Sequence, residues 1–263
     1  MPISGVIEIG DIQLLLRFDN TAFFSYFHNH YQAFFVSKLP QYDIHISELP
    51  APGQERSLRV NQEDHTLLLR YQHFSGTIDL KRHTASIQLL HHPVVLENFL
   101  RCFISVIAPA HDSVLFKCLG ICYERAGTLF SGSWELRRQL ADMLPDSRVL
   151  SDTLVLVQKK PDRTVAYGTP FSADIKVQTR RNKCALQRMY FARSGGETIV
   201  RNMKSSDVLM GMLENSFITP YNAQIPKQYM RFLEDLMRRV TCRSAAIDTS
   251  SLSAELLLTS LCS

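Results

Sequence analysis

An acid at the end of an apolar run, Val149-Leu150-Ser151-Asp152, is the part of this sequence closest to chemistry. α/β proteins that handle phosphate keep a magnesium-binding or proton-accepting carboxylate at the tip of a core strand. Asp152 is therefore the first candidate. A second apolar run, Leu154 to Val157, and a hairpin lead on to Gly168-Thr169-Pro170-Phe171, where proline fixes φ and glycine permits a tight approach. That turn reads as a support for the site. Upstream, Thr128-Leu129-Phe130 is a short strand, followed by Ser131-Gly132-Ser133 and a helix from Glu135 to Met143 with Leu136, Leu140 and Leu144 on its apolar face. Strand, glycine turn, helix, then a strand ending in an acid is the order of a phosphate-loop unit.

The elements around this core follow from periodicity. Ile12, Leu14, Leu16 and Phe18 alternate with Gln13, Leu15 and Arg17, and Asp43 to Ile46 alternate as well. Phe74 to Leu80 and Ser86 to Leu89 read as two strands joined through Lys81 to Thr84. Seven aromatic residues between Phe23 and Phe35 fall at helical spacing, as in a helix packed on a sheet. Pro50 to Gly53 is a loop. At Pro93 the character changes: Val95, Phe99, Phe103, Ile104 and Ile107 make an amphipathic helix that stops before Pro109. Val114 to Phe116 and Leu119 to Ile121 read as buried strands. Ser205-Ser206-Asp207 is an N-cap region for a helix burying Val208, Leu209, Met212, Leu213 and Phe217. Pro226 opens another helix, with Tyr229, Phe232, Leu233, Leu236, Met237 and Val240 inward and Arg238-Arg239 at its negative end. The methionines there fill core gaps, and an adaptable peptide groove is the other reading of them.

Composition excludes several classes. At 263 residues, with 45% hydrophobic and 21% charged residues, the chain is an ordinary globular protein of one large or two small domains. The net charge of +4 is spread thinly. Arg180-Arg181 and Arg238-Arg239 read as solvated faces, and no nucleic-acid partner is expected. The six cysteines show no zinc spacing and read as buried apolar thiols in a reducing cytoplasm, Cys118 and Cys122 being placed to share a helix face. His28-Asn29-His30 lacks the further ligands of a nuclease metal site, and His91-His92 marks a loop. Val94 to Phe116 is broken by Glu97, Arg101, Pro109, His111 and Asp112, so no membrane span is expected. Beyond about Thr249 a Ser/Leu-rich stretch reads as a loose tail or a partner-docking peptide.

Residues from about 94 to 247 resemble the HPr serine kinase C-terminal domain family, and more closely bacterial relatives of that kinase associated with modified-peptide gene cassettes. The segments that carry the resemblance are VVLENFLRCF, VLFKCLGI, RVLSDTLVLV, AYGTPFSADI, CALQRMYFARSG and SSDVLMGMLENSF, in that order. Residues 1–93 resemble the amino-terminal part of such proteins more weakly. The implied architecture is α/β: a β-rich α+β region over 1–93, a P-loop-like core over 94–248 with a helical C-terminal part, and a tail over 249–263.

The departures from the family matter as much. Its phosphate loop needs glycines for backbone N–H contacts, a lysine for the β/γ-phosphates and a hydroxyl for magnesium. Gly127 and Gly132 supply outer glycines in one alignment, with Ser133 in the lysine's place and Trp134 in the hydroxyl's. In the other, preferred because it keeps Thr128 to Phe130 as strand, Gly132 is the first glycine and the chain passes directly through Ser133 into the helix. Both lose the lysine, and Glu135 adds negative charge where a polyphosphate would sit. Asp152 matches the family's first acid, but Thr153 stands in place of the second and is a weaker metal ligand. Lys117 replaces a histidine, and Asp174 lies where relatives carry glutamate. The leading expectation is a degenerate, non-catalytic kinase-like protein without a cofactor, which binds a protein or peptide partner. The alternative is an active ATP- and magnesium-dependent kinase for a serine or small-molecule hydroxyl, with Asp152 as base or metal ligand and Lys117 or Arg125 neutralising phosphate. A homo-oligomer is a third implication, since HPr kinase itself is oligomeric.

Overall fold

Alternation of apolar and polar residues builds the first sheet. In the computed structural model, which describes residues 3–171, 181–219 and 227–262, the protein is mixed α/β with two mixed sheets. It divides into one unit of Met1–Ile107 with Ile218–Ile225 and another of Ala108–Phe217 with Pro226–Ser263.

The first unit contains β1 (Ile3–Ile9), β2 (Ile12–Phe18), α1 (Thr21–His30), β3 (Tyr42–Glu48), β4 (Arg59–Glu63), β5 (Thr66–Tyr71), β6 (Phe74–Asp79), β7 (Thr84–Leu89) and α2 (Pro93–Ile107). The strands lie in the order β1-β2-β3-β7-β6-β5-β4, parallel at β2–β3 and β3–β7. Ile12, Leu14, Leu16 and Phe18 of β2 are all buried, as their spacing predicts. Asn20 caps α1 by accepting a hydrogen bond from the Phe23 N–H at 2.9 Å. α2 packs on the same sheet, with Phe103 edge-on to Tyr42 at 5.6 Å and Phe99 edge-on to Phe74 at 5.9 Å. The division between the units falls after Ile107, whereas the expected boundary lay at 94. The change of character at Pro93 is a change of element within one unit, because the apolar stripe of α2 is buried against the first sheet. Pro93–His111 is long and apolar enough to cross a membrane by length and composition, and most of it is buried inside the protein.

The second unit contains β8 (Ser113–Lys117), β9 (Leu119–Tyr123), β10 (Ala126–Ser131), α3 (Trp134–Asp142), β11 (Val149–Ser151), β12 (Leu154–Lys159), β13 (Thr164–Tyr167), β14 (Lys183–Ser194), β15 (Ile199–Asn202), α4 (Ser205–Asn215), α5 (Lys227–Arg239) and β16 (Thr241–Ile247). β14 is the hinge of its sheet. Its first residues pair with β13, its remainder with β10 on one side and β16 on the other, both parallel. α4 and α5 cover one face through Val208, Met212, Phe232, Leu233 and Leu236. α3 covers the other through Leu136 and Leu140.

Two expectations change here. The carboxyl-terminal part is helical at α4 and α5 but also contributes β16, which runs parallel to β14. The tail is not loose: Ala254–Leu256 is helical and runs into a π-helical turn, Leu257–Cys262, whose Leu257, Leu261 and Cys262 are buried beside Phe130 and Tyr190 on the α3 face. Apolar spacing in a serine-rich context is enough to dock it, because the sheet supplies the missing partner.

Candidate functional site

β10 ends at Ser131, whose hydroxyl donates to the Tyr190 carbonyl at 3.1 Å, and α3 begins at Trp134. Only Gly132 and Ser133 join them. Gly132 has φ +152, and a Cβ there would lie 2.5 Å from the Ala192 carbonyl oxygen, so the turn admits glycine alone. Ser133 is the N-cap, its hydroxyl accepting from the Leu136 N–H at 3.2 Å. The Glu135 carboxyl is held below its ordinary value by its own backbone N–H and by the Ser133 hydroxyl. The helix terminus that would attract an external anion is thus occupied by the chain's own groups. Trp134 does not fill the turn. Its half-exposed ring lies beside the Arg137 guanidinium, 5.9 Å from the ring centre.

Gly127 is not part of this turn. It lies inside β10, opposite Cys122 of β9 and Leu186 of β14, which removes the alignment that used it as an outer glycine. Arg125 is also misplaced for phosphate chemistry. It sits in the β9–β10 turn with φ 71, at the opposite end of β10 from Gly132, about 20 Å away at the usual rise of a strand.

Asp152 directly follows the last residue of β11, in a bend that leads into β12. β8 and β9 are one run of chain bent at Cys118, and β11 and β12 are another bent at Asp152-Thr153. The runs pair antiparallel on both sides of the bends, with Ser151 opposite Gly120 and Leu154 opposite Lys117. The Cys118 N–H donates to the Thr153 carbonyl at 3.0 Å between them. Asp152 is 2% exposed. The Ser151 hydroxyl donates to the Phe171 carbonyl at 3.0 Å, the Thr153 hydroxyl donates to the same oxygen, and the Thr169 hydroxyl donates to the Leu154 carbonyl at 2.5 Å. The Gly168–Phe171 turn is therefore locked to the acid's corner by hydroxyl groups on both sides, which accounts for its threonine. Asp174 lies outside the described residues, as do Arg180 and Pro226.

The register places Gly132 and Asp152 at the same end of the sheet, with the start of β9 between their strands. Lys117 is at this end too, but exposed. The cation nearest the corner is one that spacing did not single out. Arg137 of α3 donates from Nη1 to the Thr153 carbonyl at 3.1 Å and to the Asp152 carbonyl at 3.4 Å. A signal existed: Arg137 stands one helical turn after the N-cap Ser133, and its N–H bonds the Ser133 carbonyl at 3.1 Å. Among the described residues, no three His, Cys, Asp or Glu side chains gather to hold a metal ion, so Asp152 and Thr153 gain no third ligand of that kind.

A cavity of about 350 Å³ opens over Ser131 and Gly132. Phe191 and Met203 give it an apolar side, and Asp207, Met210 and Glu214 of α4 form the other. Among the described residues, no Lys or Arg lines it. Asp207, Met210, Gly211 and Glu214 recur at the i, i+3, i+4, i+7 spacing of one helix face, a pattern legible in the sequence but hidden by reading Asp207 as a cap. The N-cap of α4 is Lys204, and no side chain caps it. Met210 is 55% exposed, whereas Met212 is in the core. Of the methionines first read as gap fillers, two therefore line a groove.

The chain matches no family model and no curated protein.

Proposed function

We propose that this chain is a non-catalytic protein with a degenerate HPr-kinase-type, P-loop-like core, and that it works by binding a peptide segment of a protein partner. The observation that carries this reading is the cavity over Gly132. At the place where a phosphate-loop protein holds a polyphosphate, the wall is acidic and methionine-rich. Asp207 and Glu214 repel phosphate, and Glu135 occupies the helix terminus. The same wall suits an extended segment that places a Lys or Arg between apolar side chains, since methionine adapts to varied surfaces and the acids supply the charge complement. Neither ATP nor magnesium is a cofactor in this reading, because the Gly132–Ser133 turn offers no row of open N–H groups and no lysine. The six free cysteines suit a reducing cytoplasm.

Asp152 and Gly132 nonetheless share an end of the sheet, as an ATP-dependent kinase would need, so the two readings are tested together. Short fluorescent peptides carrying Lys or Arg flanked by Leu or Phe are expected to bind the full chain. Asp207→Asn with Glu214→Gln is expected to weaken them about tenfold, a loss of about 1.4 kcal/mol. Millimolar Mg-ATP is expected to leave the melting temperature unchanged, because only a ligand of the native state raises it. A clear upward shift with Mg-ATP, lost in Asp152→Asn, would establish the kinase reading instead.

A further inference from the structure

On the face of the second sheet away from α4 and α5, two arginines flank a buried tyrosine. Alternation sets the faces. Tyr190 and Ala245 pack in the α3 cluster, whereas Met189 and Cys242 pack under α4 and α5. Arg188 and Arg243 therefore rise on the α3 side. The parallel register sets Tyr190 directly beside Arg243, which has Asn202 of β15 on its other flank. Arg188 stands two residues before Tyr190, beside Thr241. The two arginine Cα atoms are thus about 8 Å apart on one face, close enough for two long side chains to meet over one group. Tyr190 is 3% exposed, with its ring stacked on Phe130 at 5.1 Å. Arg243 is exposed and Arg188 half-buried. Arg188 Nη1 donates to the Cys262 carbonyl at 3.2 Å, so the docked tail fixes its guanidinium. Its contact with Gln187 Oε1, at 3.5 Å, is with a neutral group. Among the described residues, neither arginine is paired with a carboxylate, and the strand positions beside them carry no acid.

Two positive charges without a carboxylate partner, beside a hydroxyl, suit one doubly charged anion. We propose that Arg188, Tyr190 and Arg243 form a binding site for the dianion of a phosphate monoester. A guanidinium fork matches a pair of phosphate oxygens, and such charge-assisted hydrogen bonds are the strong ones. The Tyr190 hydroxyl donates to a further oxygen. Burial raises its pKa, so it keeps its proton at neutral pH. A single carboxylate brings one charge and leaves one arginine unmatched. Magnesium already holds the terminal oxygens of Mg-ATP, so that nucleotide is not a ligand of this site. The ester comes from a soluble metabolite or from a phosphorylated side chain, which share the group recognised here. The site lies on the opposite face of the sheet from the groove and does not depend on what the groove binds.

The test is a calorimetric titration of the full chain, at constant ionic strength and neutral pH, with glycerol phosphate, with a phosphoserine pentapeptide and with acetate. A dissociation constant below about 1 mM is expected for at least one ester, and no measurable binding for acetate. Tighter binding of the peptide assigns the ester to a protein side chain, and tighter binding of glycerol phosphate assigns it to a metabolite. Either result supports the site. Arg243→Gln, at an exposed position, is expected to weaken the tighter ester at least tenfold, and Arg238→Gln on α5 to leave it unchanged. Going to roughly pH 5 protonates the ester, whose second pKa is about 6, and is expected to weaken binding several-fold. The proposal fails if neither ester binds at millimolar concentration, if acetate binds as tightly, or if Arg243→Gln binds like the parent. One measurement needs no variant. The saturating ester is expected to protect Arg188 and Arg243 from phenylglyoxal, read by peptide mass spectrometry, while Arg238 is still modified. Undiminished modification of Arg243 would overturn the site.

Discussion

The β10–α3 turn and the Ser151–Thr153 corner lie at one end of the same sheet, and they are held by different kinds of group. The turn is closed by backbone: the Ala192 carbonyl lies where a Cβ on Gly132 would sit, and the helix end is satisfied by Ser133 and Glu135. The corner is closed by side-chain hydroxyls, with Ser151, Thr153 and Thr169 bonded to main-chain carbonyls around a buried Asp152. A backbone closure tolerates no side chain at Gly132. A hydroxyl closure keeps its local geometry whether or not anything binds. An acid can therefore be held at such a corner as part of the architecture, independently of the neighbouring turn.

The sharpest way to break this contrast is Gly132→Ala. With φ +152 and a backbone oxygen 2.5 Å from the new methyl group, relief requires main-chain movement. The expected cost is about 2–3 kcal/mol in urea unfolding. A loss below about 0.5 kcal/mol would mean that the turn has room to open. Thr169→Val should cost less, about 1–2 kcal/mol, by deleting one buried hydroxyl–carbonyl bond. If it cost nothing, the Gly168–Phe171 turn would not be fastened as described.

The smallest effect concerns Glu135. Its folded carboxyl titrates below the ordinary range, so it contributes stability above its unfolded value that disappears as pH falls through the folded one. The parent should therefore lose slightly more stability than Glu135→Gln on going from roughly pH 5 to 3. Parallel curves would show that the carboxylate does not cap the helix.

Much of this fold was legible residue by residue. The alternation in β2 and β3 and the stripes of α2, α3 and α5 each mark a buried face. Gly132 followed by Ser133 announced a turn and a cap. The corner was less legible. Ser151-Asp152 reads as a strand end, yet the chain continues in register past the bend because β8 and β9 bend beside it. Arg125 lies nearer Gly132 in sequence than Asp152 does, but a strand carries it to the far end of the sheet. Arg137 arrives at the corner only because α3 lies over that face.

Taken alone, the order of amino acids decided which segments are strands and helices, which faces are apolar, and that no lysine follows the glycine turn. Those properties arise from local sterics and from periodicity, which act over a few residues. Tertiary structure alone decided that the Cys184 sulfur fills the place of a side chain at Gly127, that the last residues complete a layer, and that Asp207 and Glu214 stand over Gly132. Such neighbours are set by strand order and by the packing of helices on a sheet, and no window of contiguous residues contains that information.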